Sequence, residues 1–207
     1  MLCFAAIFLV AVPVFFQAPL VRVAPVLSLI FTVGLLGLSE KLLAKNSTQL
    51  WGSLIWGFSL SWLCGSIYWG WLRFEPAWHL PIEALALPWA IWAIKYSLTH
   101  QVGAWFYIGS LLGTSITDLY FWLVGVVPHW RSLMQVDIDQ DLATGILREA
   151  VVKVQDQPVI LGSLASLLLL ISILAWRSAK IELWVFGGAV ISTLIVDGIF
   201  GMVAFWA

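Results

Sequence analysis

The stretch PVILGSLASLLLLISILAW, residues 158–176, contains no charged side chain and decides the class of the protein. A helix needs about 20 residues to cross a hydrocarbon core ~30 Å thick, and this run has that length. The rest of the chain has the same character, because 62% of its residues are hydrophobic and 10% are charged. Ordinary globular domains are about 45–50% apolar and about 25% charged. The sequence therefore predicts an all-α integral membrane protein.

Similar apolar runs recur between polar or proline-containing breaks, which predicts one transmembrane domain over residues 1–207. We expect seven spans, near residues 3–20, 23–39, 51–72, 81–95, 103–127, 158–176 and 182–205. The fourth is the weakest, because it is short and contains Pro88. If the segment 81–95 is re-entrant, the count falls to six.

The one long polar stretch, residues 129–157, ends in a segment with helical periodicity. Leu142, Ile146 and Val154 share its apolar face, and Asp139 or Asp141 is a suitable N-cap. We expect an amphipathic helix over about residues 139–156 that lies along the membrane surface. A helix that binds a partner protein is the alternative.

The composition also limits the function. A formal net charge of −1 gives no field that would attract nucleic acid. Cys3 and Cys64 lie in apolar runs and form no metal motif. The sequence has no Walker loop, dinucleotide fingerprint, nucleophile elbow or zinc-protease motif. We therefore expect no cofactor, and a non-enzymatic role is favoured over an enzyme that acts on a lipid or prenyl substrate.

The chain contains 14 tryptophans. Those near span ends, such as Trp69 and Trp130, fit an aromatic belt at the headgroup level. The deeper ones either face lipid and pack, or line a groove for a pigment, a quinone or a lipid: Trp56, Trp62, Trp89, Trp92 and Trp122.

Two carboxylates at bilayer depth are the strongest functional signal. Asp118 lies in the fifth predicted span and Asp197 in the seventh. A charge at that depth costs ~2.5–3.5 kcal/mol, so such residues are functional by default. With seven spans these two helices run in the same direction, which puts both carboxyls ~15 Å from the same surface. They could therefore meet.

Hydroxyl groups one turn before each aspartate could hydrogen-bond it, and they are Thr114, Ser115 and Thr193. The two aspartates either carry a proton, contact a polar ligand, or clamp two helices together. Small residues at every fourth position are typical of closely packed spans: Ser53, Gly57, Ser61 and Gly65; Gly109, Gly113 and Thr117; Ala189, Thr193, Asp197 and Gly201.

The loops after spans one, three and five emerge on one face of a seven-span bundle. With Gln17 they would form a polar vestibule above the aspartates, and its members are Arg22, Arg73, Glu75, His79, Glu83, His129 and Arg131. An interfacial salt-bridge network is the alternative. Four-residue steps between Glu75, His79 and Glu83 would suit a metal, but Pro76 and Pro81 interrupt the helix that would converge them. No metal site is predicted.

The chain resembles a cyanobacterial membrane family known as domain of unknown function 3120. The matching stretches include residues 13–22, 65–83, 109–120 and 128–131, and the resemblance extends to about residue 175. It implies a photosynthetic prokaryote and a plasma or thylakoid membrane, and it implies no activity. Asp118 falls inside the resemblance, whereas Asp197 falls beyond it.

Two functions are predicted from these features. The first is a non-enzymatic accessory or assembly factor for a membrane complex, for example a photosynthetic one, with other membrane proteins or a hydrophobic pigment or quinone as partners. The second is a small proton-coupled transporter that uses Asp118 and Asp197.

Overall fold

The computed structural model describes residues 1–136 and 140–206, and every regular element within them is helical. The helices are α1 (Leu2–Val23), α2 (Pro25–Leu43), α3 (Gln49–Leu72), α4 (His79–Glu83), α5 (Leu87–Tyr96), α6 (Gln101–Leu123), α7 (Val127–Gln135), α8 (Gln140–Gln155), α9 (Pro158–Trp176) and α10 (Ile181–Trp206). Short 3-10 turns, Pro76–Trp78 and Ala84–Ala86, precede and follow α4.

Five of these helices are long and apolar enough to cross a membrane, namely α1, α2, α3, α9 and α10. Helix α6 meets the same criterion only together with α7, which follows it after a bend of 102°. The predicted helical membrane bundle is therefore confirmed as an all-α architecture. The count of seven spans is not.

The predicted fourth span, residues 81–95, is not one continuous helix. It divides into the end of α4, the turn Ala84–Ala86 and the ten residues of α5. Pro88 stands in the first turn of α5, where its missing N–H breaks no hydrogen bond, so it starts a helix instead of kinking one.

Prolines also shape the first hairpin. A π-helical turn over Pro13–Gln17 accommodates Pro13, so α1 continues as one span from Leu2 to Val23. The chain then breaks at a single residue, Ala24, with φ −144° and ψ 69°. A residue before proline is driven out of the helical region, and Pro25 therefore separates α1 from α2.

Helices α1, α3, α6 and α10 run in parallel. Gly109 lies against Ala189 and Gly113 against Thr193, so contacts along α6 and α10 advance together. Likewise Ser192 Oγ donates to the carbonyl of Ile7 at 2.7 Å, which joins α10 to α1. The largest core cluster lies where these four helices meet and includes Leu2, Ala6, Leu54, Phe58, Phe106 and Ala189.

The closest approach in the bundle is between α3 and α6. A Cβ built on Gly57 would lie 1.9 Å from the carbonyl oxygen of Gly103. The Gly103 amide also donates to Ser53 Oγ at 3.0 Å. Backbone contact of this kind is the use that membrane helices make of small residues.

Helix α5 runs antiparallel to α6. Gln101, at the start of α6, donates to the carbonyl of Ile94 at 3.1 Å, near the end of α5. The Tyr107 hydroxyl, further along α6, donates to the carbonyl of Glu83, which precedes α5. The segment between α3 and α6 thus leads the chain back along the bundle.

Helix α6 ends four residues before the predicted span end at 127. Gly125 has φ 72°, a left-handed conformation that suits glycine at a helix C-terminus, and it turns the chain into α7. The amphipathic helix expected over about 139–156 is observed as α8, Gln140–Gln155. Lys153 Nζ donates to the Gly125 carbonyl at 3.2 Å, which ties α8 to this turn. Asp139, one of the two expected N-caps, lies outside the described residues.

Candidate functional site

Asp118 is buried on α6 and has a titratable partner. His79 Nδ1 lies 2.9 Å from both carboxyl oxygens, and the exposed fractions of the two residues are 4% for Asp118 and 8% for His79. An ionised carboxylate only accepts hydrogen bonds, so with an ionised Asp118 the hydrogen sits on Nδ1. Nε2 then points to the other side of the ring, where it makes no hydrogen bond with any described residue.

The loop before α4 explains how His79 reaches α6. The Glu75 side chain accepts a hydrogen bond from the amide of Ala77 at 3.2 Å and so caps the turn Pro76–Trp78. This turn delivers the chain directly into α4, whose first residue is His79. The prolines that spoil a continuous helix thereby position the histidine.

Three aromatic rings surround His79. The ring centroid of Tyr68 lies 4.4 Å from that of the imidazole, that of Trp130 5.4 Å and that of Trp69 5.8 Å. Trp69 and Trp130 stack on each other at 6.0 Å with an interplanar angle of 12°. Because Trp130 belongs to α7, this helix covers the His79–Asp118 pair and helps to exclude water from it.

An ion pair fastens α7 outside the aromatic rings. Arg131 Nη2 donates to Glu75 Oε1 at 2.7 Å, and both side chains are more than 40% exposed. The hydrogen bond from Arg131 holds the pKa of Glu75 below its ordinary value. The same carboxylate therefore caps the turn before His79 and anchors the helix that covers it.

Asp197 has a different partner. Thr117 Oγ1 donates to Asp197 Oδ2 at 2.6 Å, across the contact between α6 and α10. The two aspartates thus lie at neighbouring levels of parallel helices, as the residue counting predicts. Each is bonded to another side chain, Asp118 to His79 and Asp197 to Thr117.

The hydroxyls expected beside the aspartates are engaged elsewhere. Ser115 donates to the carbonyl of Leu111 at 2.7 Å, and Thr193 packs against Gly113. Thr114 donates to neither aspartate. The actual donor, Thr117, could have been recognised because it continues the small-residue pattern that faces α10.

The structure divides the predicted vestibule. Glu75, His79 and Arg131 come together, as described above. Of the others, Arg22 is exposed, and Glu83 is half-buried at the end of α4. Arg73 Nη1 donates to the Trp69 carbonyl at 3.1 Å. His129 Nε2 lies 3.7 Å from Glu149 Oε2 of α8. Gln17 is buried inside the bundle and donates to Ser66 Oγ at 2.7 Å.

The comparisons place the chain in a family. The family described as protein of unknown function (DUF3120) matches residues 6–205. The match reaches beyond residue 175, where the resemblance noted in the sequence ended, and it therefore includes Asp197 as well as His79 and Asp118. No curated protein and no solved structure matches the chain. The chain belongs to the DUF3120 family of proteins of unknown function.

Proposed function

We propose that this protein is a small proton-coupled carrier in which the His79–Asp118 pair binds and releases the proton. The observation that carries the proposal is the 2.9 Å contact between the buried imidazole and the buried carboxyl. His79 here takes the role that the sequence-based hypothesis gave to Asp197, since Asp197 is bonded to Thr117.

Charge balance in a membrane supports this role. A carboxylate beside a neutral imidazole gives the pair one net negative charge, whereas the same pair with one more proton is neutral. A buried net charge is costly in a membrane, and this cost is the physical reason for proposing the pair as the proton site. His79 Nε2 is the atom through which it would enter or leave, because Nδ1 is occupied by Asp118.

The position of α7 supports a controlled route for that proton. Trp130 packs against the imidazole and Arg131 pairs with Glu75, and both Trp130 and Arg131 belong to α7. A movement of α7 about the turn at Gly125 would open or close access to Nε2. Coupling of such a movement to proton binding is what a carrier requires.

The proposed topology has seven crossings. The parallel direction of α3 and α6 supports a return of the chain through the segment from α4 to α5, whose contacts with α6 run in the matching antiparallel sense. In the plasma or thylakoid membrane that the family resemblance implies, α7 and α8 would lie at the surface where the odd-numbered crossings end.

The test is proton flux in liposomes. Purified protein is reconstituted with a trapped pH indicator, an inward pH gradient is imposed, and the small-molecule fraction of the source cell is added outside as substrate. We expect wild-type protein to accelerate acidification of the lumen when the extract is present. His79→Gln and Asp118→Asn should abolish the acceleration.

Asp197→Asn is the matched control, because it alters a carboxyl at the same level that takes no part in the pair. We expect it to retain flux. Wild-type liposomes that behave like empty ones, or an Asp118→Asn variant that transports normally, would refute the proton-carrier proposal.

An accessory role is the second candidate, and one surface favours it. Trp89 and Trp92 on α5 are 61% and 52% exposed, and with Pro88 they line an open groove of about 410 Å³. Such a groove would accept a hydrophobic pigment, a quinone or a helix of another membrane protein. Rigid aromatic side chains are typical anchors of such contacts.

Co-purification in mild detergent tests this second role. A stoichiometric partner or pigment should accompany wild-type protein and be lost from a Trp89→Ala, Trp92→Ala double variant. Trp122→Ala is the control, since Trp122 is 54% exposed on a different helix. If the native protein purifies alone, or if the double variant keeps its partner, the accessory role is excluded.

A further inference from the structure

Buried polar atoms without a hydrogen-bond partner are concentrated at one end of the bundle. Six such atoms occur in the described residues, and they are Tyr68 Oη, Arg73 Nε, Tyr120 Oη, His129 Nδ1, Trp130 Nε1 and Arg131 Nε. All six belong to the end of α3 and the residue after it, the end of α6, or α7. Buried polar groups are normally paired, so a cluster of exceptions in one place calls for an explanation.

Five of the six unpaired atoms can donate, whereas the role of His129 Nδ1 depends on its tautomer. The arginine and tryptophan nitrogens can only donate, and the two tyrosine hydroxyls can donate as well. Tyr68 is fully buried, and its ring packs against His79. The arginine and tryptophan nitrogens of this set would be satisfied by a ligand that offers several acceptor oxygens.

Each arginine is held in place through one terminal nitrogen, and its buried Nε is left without a partner. Arg73 Nη1 is bonded to the Trp69 carbonyl, and Arg131 Nη2 is bonded to Glu75. Trp69 and Trp130 stack directly on each other, which brings the two arginine-bearing segments together. Arg73 has no carboxylate partner in the described part of the chain, so this end keeps a positive charge.

Two of the three acidic side chains near Tyr68 are bonded to other groups, and the third, Glu83, lies at the end of α4. Asp118 is bonded to His79, and Glu75 is bonded to Arg131. The unpaired N–H donors of Arg73, Trp130 and Arg131 suit an oxyanion and do not suit a metal ion. Arginine recognises phosphate through pairs of N–H donors that the planar guanidinium group holds in a fixed geometry.

We infer that the end of the bundle formed by α3, α6 and α7 binds a phosphate group, with Arg73, Trp130 and Arg131 as its donors. Tryptophans at a span end mark the level of lipid headgroups, and basic pockets between membrane helices bind phosphorylated headgroups. The bound group is the phosphate of an anionic lipid or a free phosphate ion, which share this chemistry.

Native mass spectrometry of the full chain tests the site and separates the two sources. Protein in a neutral detergent is mixed with phosphatidylglycerol, with phosphatidylcholine or with inorganic phosphate. We expect one molecule of phosphatidylglycerol to remain bound to the protein. Phosphatidylcholine, which is zwitterionic, should bind at lower occupancy. Arg73→Gln and Arg131→Gln should each weaken the binding of phosphatidylglycerol about tenfold, the usual effect of losing one charge-assisted hydrogen bond.

Arg177→Gln is the matched control, because Arg177 is exposed in the turn between α9 and α10, away from α3 and α7. Trp130→Phe preserves the aromatic stack and removes only the N–H, so its weaker binding would not reflect misfolding. If inorganic phosphate displaces phosphatidylglycerol, the site recognises the phosphate group alone. If phosphatidylglycerol stays bound in the presence of inorganic phosphate, the site recognises the whole headgroup. No bound phosphate species, or equal loss in Arg177→Gln and Arg73→Gln, overturns the inference.

Discussion

The crossing of α3 and α6 gives the sharpest test of the fold, through the substitution Gly57→Ala. The added Cβ would lie 1.9 Å from the Gly103 carbonyl oxygen and 2.6 Å from its Cα, whereas ordinary contact begins at 3.4 Å. Both obstacles are backbone atoms, so no side chain can rotate away. The two helices must move apart by roughly 1.5 Å, a gap that forfeits more than about half of the dispersion energy of each contact.

The expected cost follows from two losses. Overpacking of a close contact costs ~1–3 kcal/mol. Separation of the helices also weakens the hydrogen bond from the Gly103 amide to Ser53 Oγ, whose net value is ~0.5–1.5 kcal/mol. Together they destabilise the bundle by about 2–4 kcal/mol, which corresponds to a fall in Tm of about 4–16 °C for a chain of this size.

Thermal unfolding in detergent measures this destabilisation. The readout is the fraction of the protein that remains monodisperse after heating. The control is Gly162→Ala on α9, where a Cβ would meet nothing within 4 Å. Alanine is the better helix former by ~0.8–1.0 kcal/mol, so this variant should be unchanged or slightly more stable. Equal Tm values for Gly57→Ala and Gly162→Ala would show that the two helices do not cross at Gly57 and Gly103.

Three further predictions concern the site and its cover. A double-mutant cycle of His79→Gln and Asp118→Asn should give a coupling free energy of ~1.5–3 kcal/mol from chemical unfolding, as expected for a hydrogen bond to a charged group, and additive effects would exclude the pair. Gly125→Ala should destabilise the protein by ~1–2 kcal/mol because φ is 72°, and faster amide hydrogen exchange in α7 would locate the damage. The pKa of Glu75 is lowered by Arg131, so the ion pair persists above that lowered pKa and is lost as the pH falls through it. Amide hydrogen exchange in α7 should therefore accelerate only in that acidic range. In the Glu75→Gln variant, α7 should exchange fast at every pH.

The bundle could be predicted because hydrophobicity is a local property of each run. Residues 158–176 form α9 as expected, since no other structure satisfies that backbone in lipid. The segment 81–95 is not one continuous helix, because the turn Ala84–Ala86 divides it and Pro88 starts α5. Helix α7 was not predicted, since its apolar residues are few and its start depends on the turn at Gly125.

The site could be predicted only in part. The depth of Asp118 and Asp197 follows from counting residues along parallel helices, and both were recognised. The bond between His79 and Asp118 spans 39 residues and requires a 3-10 turn capped by Glu75, which periodicity does not reveal. Trp69 and Trp130 were interpreted as interfacial anchors, because their stacking depends on the 102° bend between α6 and α7.

The contact between α10 and α1 has a consequence for biosynthesis. Ser192 and Ile7 are 185 residues apart, so the first helix enters the membrane long before its neighbour has been translated. Until then the face of α1 that later meets Gly188 is open to lipid or to an insertion chaperone. A chain truncated after α9 would leave that face and the glycine face of α6 uncovered, and such a product is a natural target for proteolysis in the membrane. The packing of α1 is therefore completed only after α10 has been translated.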